Sequence, residues 1–164
     1  MKPKREQPRV IQTILLAEDD SNEVWLIQRA FNKNGIKDHL QVVENGAAAI
    51  EYLSGKGKFA DREAFPLPDL VITDLRMPLM GGLDLLKWMH ANREVSRIPA
   101  VLLTSSISEQ DQAIAYRFGV CGYYIKPHTL DELILLVRHI YEYWTKNPAL
   151  MSLPIQLSTA PSAA

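Results

Sequence analysis

Leu70-Val71-Ile72-Thr73-Asp74-Leu75-Arg76-Met77-Pro78 is the stretch that decides the fold. Apolar and β-branched residues run without a break into a carboxylate, and a proline soon closes the segment. A short continuous apolar run reads as a strand covered on both faces, as in a parallel sheet. The carboxyl end of such a strand is where open α/β sheets place their ligands. The same kind of ending recurs along the chain. Ile14-Leu15-Leu16-Ala17 runs into Glu18-Asp19, Val101-Leu102-Leu103 into Thr104-Ser105, and Tyr123-Tyr124-Ile125 into Lys126-Pro127. An acid pair, a lone acid, a hydroxyl and a lysine each stand at a strand end.

Helical-period segments separate these runs. That alternation specifies an α/β chain, a doubly wound parallel sheet with helices on both faces. The strands are expected near residues 11–17, 40–43, 69–73, 100–103 and 122–125. The helices are expected near 23–34, 46–53, 82–92, 109–118 and 130–146. Ser21 or Asn22 caps the first helix and Gly35 stops it. Residues 54–68 form a loop long by ordinary standards and rich in charge and proline. The domain organisation is a basic arm over 1–10 (Lys2, Lys4, Arg5, Arg9), one domain over 11–146, and a tail over 147–164 whose last residues are too polar to order themselves. After Lys126 only the fifth helix and the tail follow, which leaves no room there for a helix-turn-helix or catalytic output domain.

The formal net charge of −1 argues against a nucleic-acid partner. The single cysteine, Cys121, permits no internal disulfide and reads as a small semi-buried residue. No apolar stretch approaches ~18 residues, so no membrane span is expected. The N-terminus has no apolar signal core, and a cytoplasmic location is expected. His39, His90, His128 and His139 lack the spacing of a metal cluster.

If the first and third strands are neighbours, Glu18, Asp19 and Asp74 meet in one cleft. Three such charges repel unless a cation sits among them. Oxygen-only ligands suit a hard cation, and an incomplete protein cage favours Mg²⁺ over Ca²⁺. The backbone carbonyl of Arg76 is a candidate further ligand. Asp74 can also serve as a nucleophile and become an aspartyl-phosphate. Lys126 would then offset charge on the phosphoryl oxygens, and Thr104 would hydrogen-bond them.

With these residues in view, the chain over 11–146 resembles a response-regulator receiver domain. The segments that carry the likeness are Ile14 to Asp20, Asp74 to Pro78, Leu103-Thr104-Ser105 and Gly122 to Pro127. The resemblance implies a flavodoxin-like (βα)5 fold with strand order 2-1-3-4-5. It implies that Asp74 is the phosphoacceptor, that Glu18 and Asp19 bind Mg²⁺, and that Thr104 and Lys126 read the phosphoryl group. It implies a switch in which Thr104 moves and the aromatic Tyr123 swings inward. It places Arg76 and Ser106 at positions that tune phosphoryl lifetime, and it suggests a cis Lys126–Pro127 peptide. The long loop after the second helix, the aromatic fifth helix and the tail resemble the single-domain receivers that partner bacterial phytochromes. The implied donor is a histidine kinase, a phytochrome among the candidates, and the implied output is a protein–protein contact.

On the fifth helix, Leu130, Leu133, Val137, Ile140, Tyr141 and Trp144 share one face, which should pack on the sheet. Leu135 and Tyr143 point away from that face and Leu136 lies at its flank, a candidate homodimer face. Trp88 is expected mostly in the core, and Trp25 near the site or on a docking face. Two other readings compete. An unphosphorylated scaffold of the same fold would need none of Asp74, Thr104 and Lys126. An aspartyl-nucleophile phosphatase would want a second acid two residues after Asp74, where Arg76 stands, so a non-enzymatic acceptor is the expectation.

Overall fold

A computed structural model describes residues 13–36 and 40–146. Its elements alternate as the pattern demands: β1 Ile14–Ala17, α1 Ser21–Lys33, β2 Leu40–Val43, α2 Gly46–Ser54, β3 Leu70–Thr73, α3 Gly82–Ala91, β4 Ala100–Thr104, α4 Glu109–Arg117, β5 Gly122–Ile125 and α5 Leu130–Lys146. The strands form one parallel sheet in the order β2-β1-β3-β4-β5. The expected arm and tail, with His39, lie outside the described residues.

Successive strand side chains point to opposite faces, and the two faces become two cores. Ile14, Leu16, Leu70, Ile72, Val101 and Leu103 pack with α1 and α5. Leu15, Ala17, Val71, Ala100 and Leu102 pack with α2, α3 and α4. The uninterrupted apolar runs are explained by this double coverage. On α5, Leu133, Val137, Ile140 and Trp144 are buried, as the helical spacing requires.

One local expectation changes, and one segment gains detail. The cap of α1 is Asp20, whose carboxylate accepts from the N–H groups of Asn22 and Glu23, so the helix starts earlier than Ser21 or Asn22 as caps would allow. The long loop after α2 has structure of its own. It opens with a short 3-10 turn, Gly57–Phe59, and Tyr52, Phe59 and Phe65 gather their rings with centroids 5.0 to 6.1 Å apart. Arg62 reaches back to the end of α2 and donates to the carbonyls of Tyr52 (2.7 Å) and Leu53 (2.8 Å). Gly55 adopts φ 61° there, and a Cβ on it would meet the Arg62 guanidinium at 2.8 Å.

Candidate functional site

Hydrogen bonds between neighbouring strands continue one residue past the strand ends and fix the candidate positions at one rim. Glu18 N–H donates to the Val43 carbonyl (3.0 Å), Asp74 N–H to Ala17 (3.0 Å), and Lys126 N–H to Thr104 (2.8 Å). Parallel pairing in register, with Ala17 opposite Thr73 and Thr104 opposite Ile125, sets these residues side by side. Carboxylate oxygens of Glu18, Asp19 and Asp74 lie within 4.8 Å of one another.

Lys126 answers this negative charge. Its Nζ lies 2.7 Å from Glu18 Oε2 and 3.1 Å from Asp74 Oδ2, with its side chain 12% exposed. A third acid joins from the first turn of α1, Glu23, at 3.7 Å. Glu18 is only 3% exposed, and burial pushes its carboxyl above the usual range even though the hydrogen bond and charge of Lys126 pull the other way. Burial pulls Lys126 down, but its bonds and charges from Glu18 and Asp74 outweigh that and hold the ammonium above its usual value. Glu18 also accepts from Asp20 N–H at 3.1 Å, which orients it. One oxygen of Asp74 accepts from the Leu75 N–H at 2.6 Å.

The segment after Asp74 is held by a close backbone approach. Gly82 opens α3, and a Cβ there would collide with the Asp74 carbonyl oxygen, so no other residue fits. The Met80 carbonyl accepts from Gly46 N–H at 2.9 Å, tying the same loop to α2. Leu79 between them is 91% exposed and has φ 64°, a left-handed conformation that costs a non-glycine residue strain.

Thr104, at the end of β4, is buried, and its hydroxyl accepts from the Ser106 N–H (3.2 Å). The Ser106 carbonyl accepts from the Tyr123 hydroxyl (2.9 Å), and the Ser106 hydroxyl donates to Asp111 (2.7 Å). Arg76 lies beside the same Asp111 oxygen at 3.5 Å. Thr104 and Tyr123 are thus joined directly to Ser106, and Arg76 is joined to it through Asp111. Beside the acids, a cleft of about 540 Å³ is lined by Glu18, Asp19, Trp25, Val42, Glu44 and Lys58.

A family model described as the response regulator receiver domain matches residues 14–138. The chain is a response regulator receiver domain. Its similarity extends to the probable methanogenesis regulatory protein FilR2 of Methanothrix harundinacea, 36% identical over 134 residues, covering 80% of this chain and 82% of that protein. The response regulator Rcp1 of Synechocystis sp. is 31% identical over 139 residues, covering 85% of this chain and 92% of the relative. A crystal structure of Rcp1 in its Mn²⁺-bound form superposes with a TM-score of 0.73 at 31% identity, over 82% of this chain and 95% of that one. The phosphorylated cyanobacterial phytochrome response regulator RcpA gives 0.75 at 31% identity, over 82% and 94%.

Receiver domains of this family work with histidine kinases and bind a divalent metal. The donor set here fits such an ion: three carboxylates converge, every donor is oxygen, and Asp19 remains exposed at the open side.

Among the residues expected at the receiver's site, the structure brings Glu18, Asp19, Asp74 and Lys126 into one cluster, and Thr104, Ser106, Tyr123 and Arg76 into the adjoining network. Leu135 and Tyr143 are exposed on α5, while Leu136 is half-buried against the core. The Lys126–Pro127 peptide is trans, not cis, because no described peptide bond is cis. The backbone accommodates the turn after β5 without that isomer. Trp25 is exposed along the acidic cleft, and Trp88 is half-buried against the core. Burial raises the Cys121 thiol above its usual value, which suits an inert packing residue. The sequence reading missed Glu23 and Asp111. A signal existed for each: Glu23 is an acid in the first turn of the helix that follows the acid pair, and Ser108-x-x-Asp111 has the spacing of a helix start. No described helix is long and apolar enough to cross a membrane.

Proposed function

We propose that Asp74 accepts a phosphoryl group from a histidine kinase, with Mg²⁺ held by Glu18, Asp19, Asp74 and the backbone carbonyl of Arg76. The observation that carries this reading is the Lys126 ammonium 3.1 Å from Asp74 Oδ2, at the edge of a three-carboxylate cluster. A bound divalent ion would offset the acids and screen the approach of an anionic donor. Asp74 supplies the nucleophilic carboxylate: an O–P bond forms as the N–P bond of the donor's phosphohistidine breaks, and the imidazole leaves. The Leu75 N–H orients the carboxylate, and Lys126 meets the phosphoryl oxygens as a point charge. Thr104 and Tyr123 read the new charge through Ser106, and Arg76 and Ser106 tune how long it lasts. The chain acts as an acceptor rather than as a phosphatase.

The likeness to Rcp1 and to RcpA, a phytochrome response regulator, supports a phytochrome-type kinase as donor. Output runs through protein contacts, with self-association through Leu135, Leu136 and Tyr143. Acetyl phosphate with Mg²⁺ should label the wild type and leave Asp74→Asn unlabelled; equal labelling of both would remove Asp74 from the role. Lys126→Ala should still take label but lose the conformational response, and an unchanged response would remove Lys126 from the switch.

A further inference from the structure

We propose that Asp111 is a positioning residue for the phosphoryl site: its carboxylate holds Arg76 and Ser106 together before phosphorylation, and Arg76 leaves it for the phosphoryl group afterwards. This inference rests on the assignment of Asp74 as phosphoacceptor.

A single oxygen, Asp111 Oδ2, meets both partners, Ser106 Oγ at 2.7 Å and Arg76 Nη2 at 3.5 Å. The two contacts differ in strength. The serine bond is short and charge-assisted, and Asp111 is 19% exposed; Arg76 is 79% exposed, and an ion pair so open to water is easily given up. Arg76 stands two residues beyond Asp74 on the same loop. A phosphoryl group there carries roughly −2 of charge and three acceptor oxygens, a better match for a guanidinium fork than one carboxylate oxygen.

The departure of Arg76 has consequences through Ser106. Asp111 is left with one fewer cation beside it. Its remaining bond runs to Ser106, whose N–H reaches Thr104 Oγ1 and whose carbonyl receives the Tyr123 hydroxyl. The Ser106 hydroxyl also accepts from Ser108 N–H at 3.3 Å, and Ser108 caps α4 through the Asp111 N–H. A shift of Asp111 therefore moves the cap of α4, the threonine loop and the tyrosine together. The competing explanation is that Asp111 only stabilises the start of α4, where an acid is favoured by the helix dipole.

A double-mutant comparison separates the two. Asp111→Asn keeps an oxygen for Ser106 and removes the charge that Arg76 meets. Beryllium fluoride, a phosphoryl mimic for carboxylates, is titrated calorimetrically at saturating Mg²⁺. In the Arg76 background, Asp111→Asn should tighten binding about threefold, a size within reach of an exposed ion pair; in Arg76→Gln it should change nothing. Equal tightening in both backgrounds, or none in either, overturns the inference and leaves the acceptor role of Asp74 standing. A wild type that binds no beryllium fluoride overturns both. A further readout needs no Asp111 variant: the Arg76 guanidinium NMR signal should move when the mimic binds, and a stationary signal would also overturn the proposal.

Discussion

Glu18 is the acid with most to lose in this receiver, because it is buried and its one ammonium partner is shared. Its raised pKa has a definite sign. A carboxyl held above its unfolded value contributes stability that is complete below 4.5, its ordinary value, and that disappears as pH rises through the folded value. In metal-free protein, wild type should therefore lose melting temperature relative to Glu18→Gln as pH climbs above 4.5, and added Mg²⁺ should narrow the gap. A gap that moves in favour of wild type with rising pH would contradict the assignment. Lys126 has the same sign at the far end of the scale, its contribution present below 10.5 and lost as pH rises through its raised value. At this scale the sequence was partly legible. Glu18, Asp19, Asp74 and Lys126 declare themselves because each ends an apolar run. Glu23 and Asp111 do not, because an acid in the first turn of a helix is ordinary until a loop folds beside it.

The elements were legible where one periodicity governed them. Strands buried on both faces read as unbroken apolar runs, and α5 showed its buried face at helical spacing. The segment between α2 and β3 was not, because its order comes from contacts with no period: three aromatic rings and an arginine that meets carbonyls ten and nine residues back. Arg62→Ala should leave the Tyr52 and Leu53 carbonyls at the end of α2 without their charged donor and cost about 2 kcal/mol of stability in chemical denaturation. No loss would show that the rings alone hold the loop. Gly82 belongs to the same lesson. The sequence placed Gly82 at the start of a helix, and only the approach of α3 to the Asp74 carbonyl shows why a side chain is excluded there. The cis isomer suggested at Lys126–Pro127 was a family expectation, and nothing in the local residues required it.

Across the whole molecule, parallel register carries the site, since sheet order 2-1-3-4-5 brings the ends of β1, β3, β4 and β5 to one rim. Strand order was available to the sequence only through resemblance, because apolar runs do not state their neighbours. On α5, Leu135 and Tyr143 are exposed, with Tyr143 stacked on His139. Replacing Leu135 and Tyr143 with glutamate should weaken self-association in sedimentation by at least tenfold if these side chains form the centre of the contact, about the loss of one well-packed anchor; unchanged sedimentation would place any contact elsewhere. The central claim is chemical, and mass spectrometry tests it most directly. After phosphotransfer from a histidine kinase in Mg²⁺, the added phosphoryl mass should map to the peptide containing Asp74 and vanish in Asp74→Asn. Phosphate mapped to another residue, with Asp74 unmodified, would contradict the account.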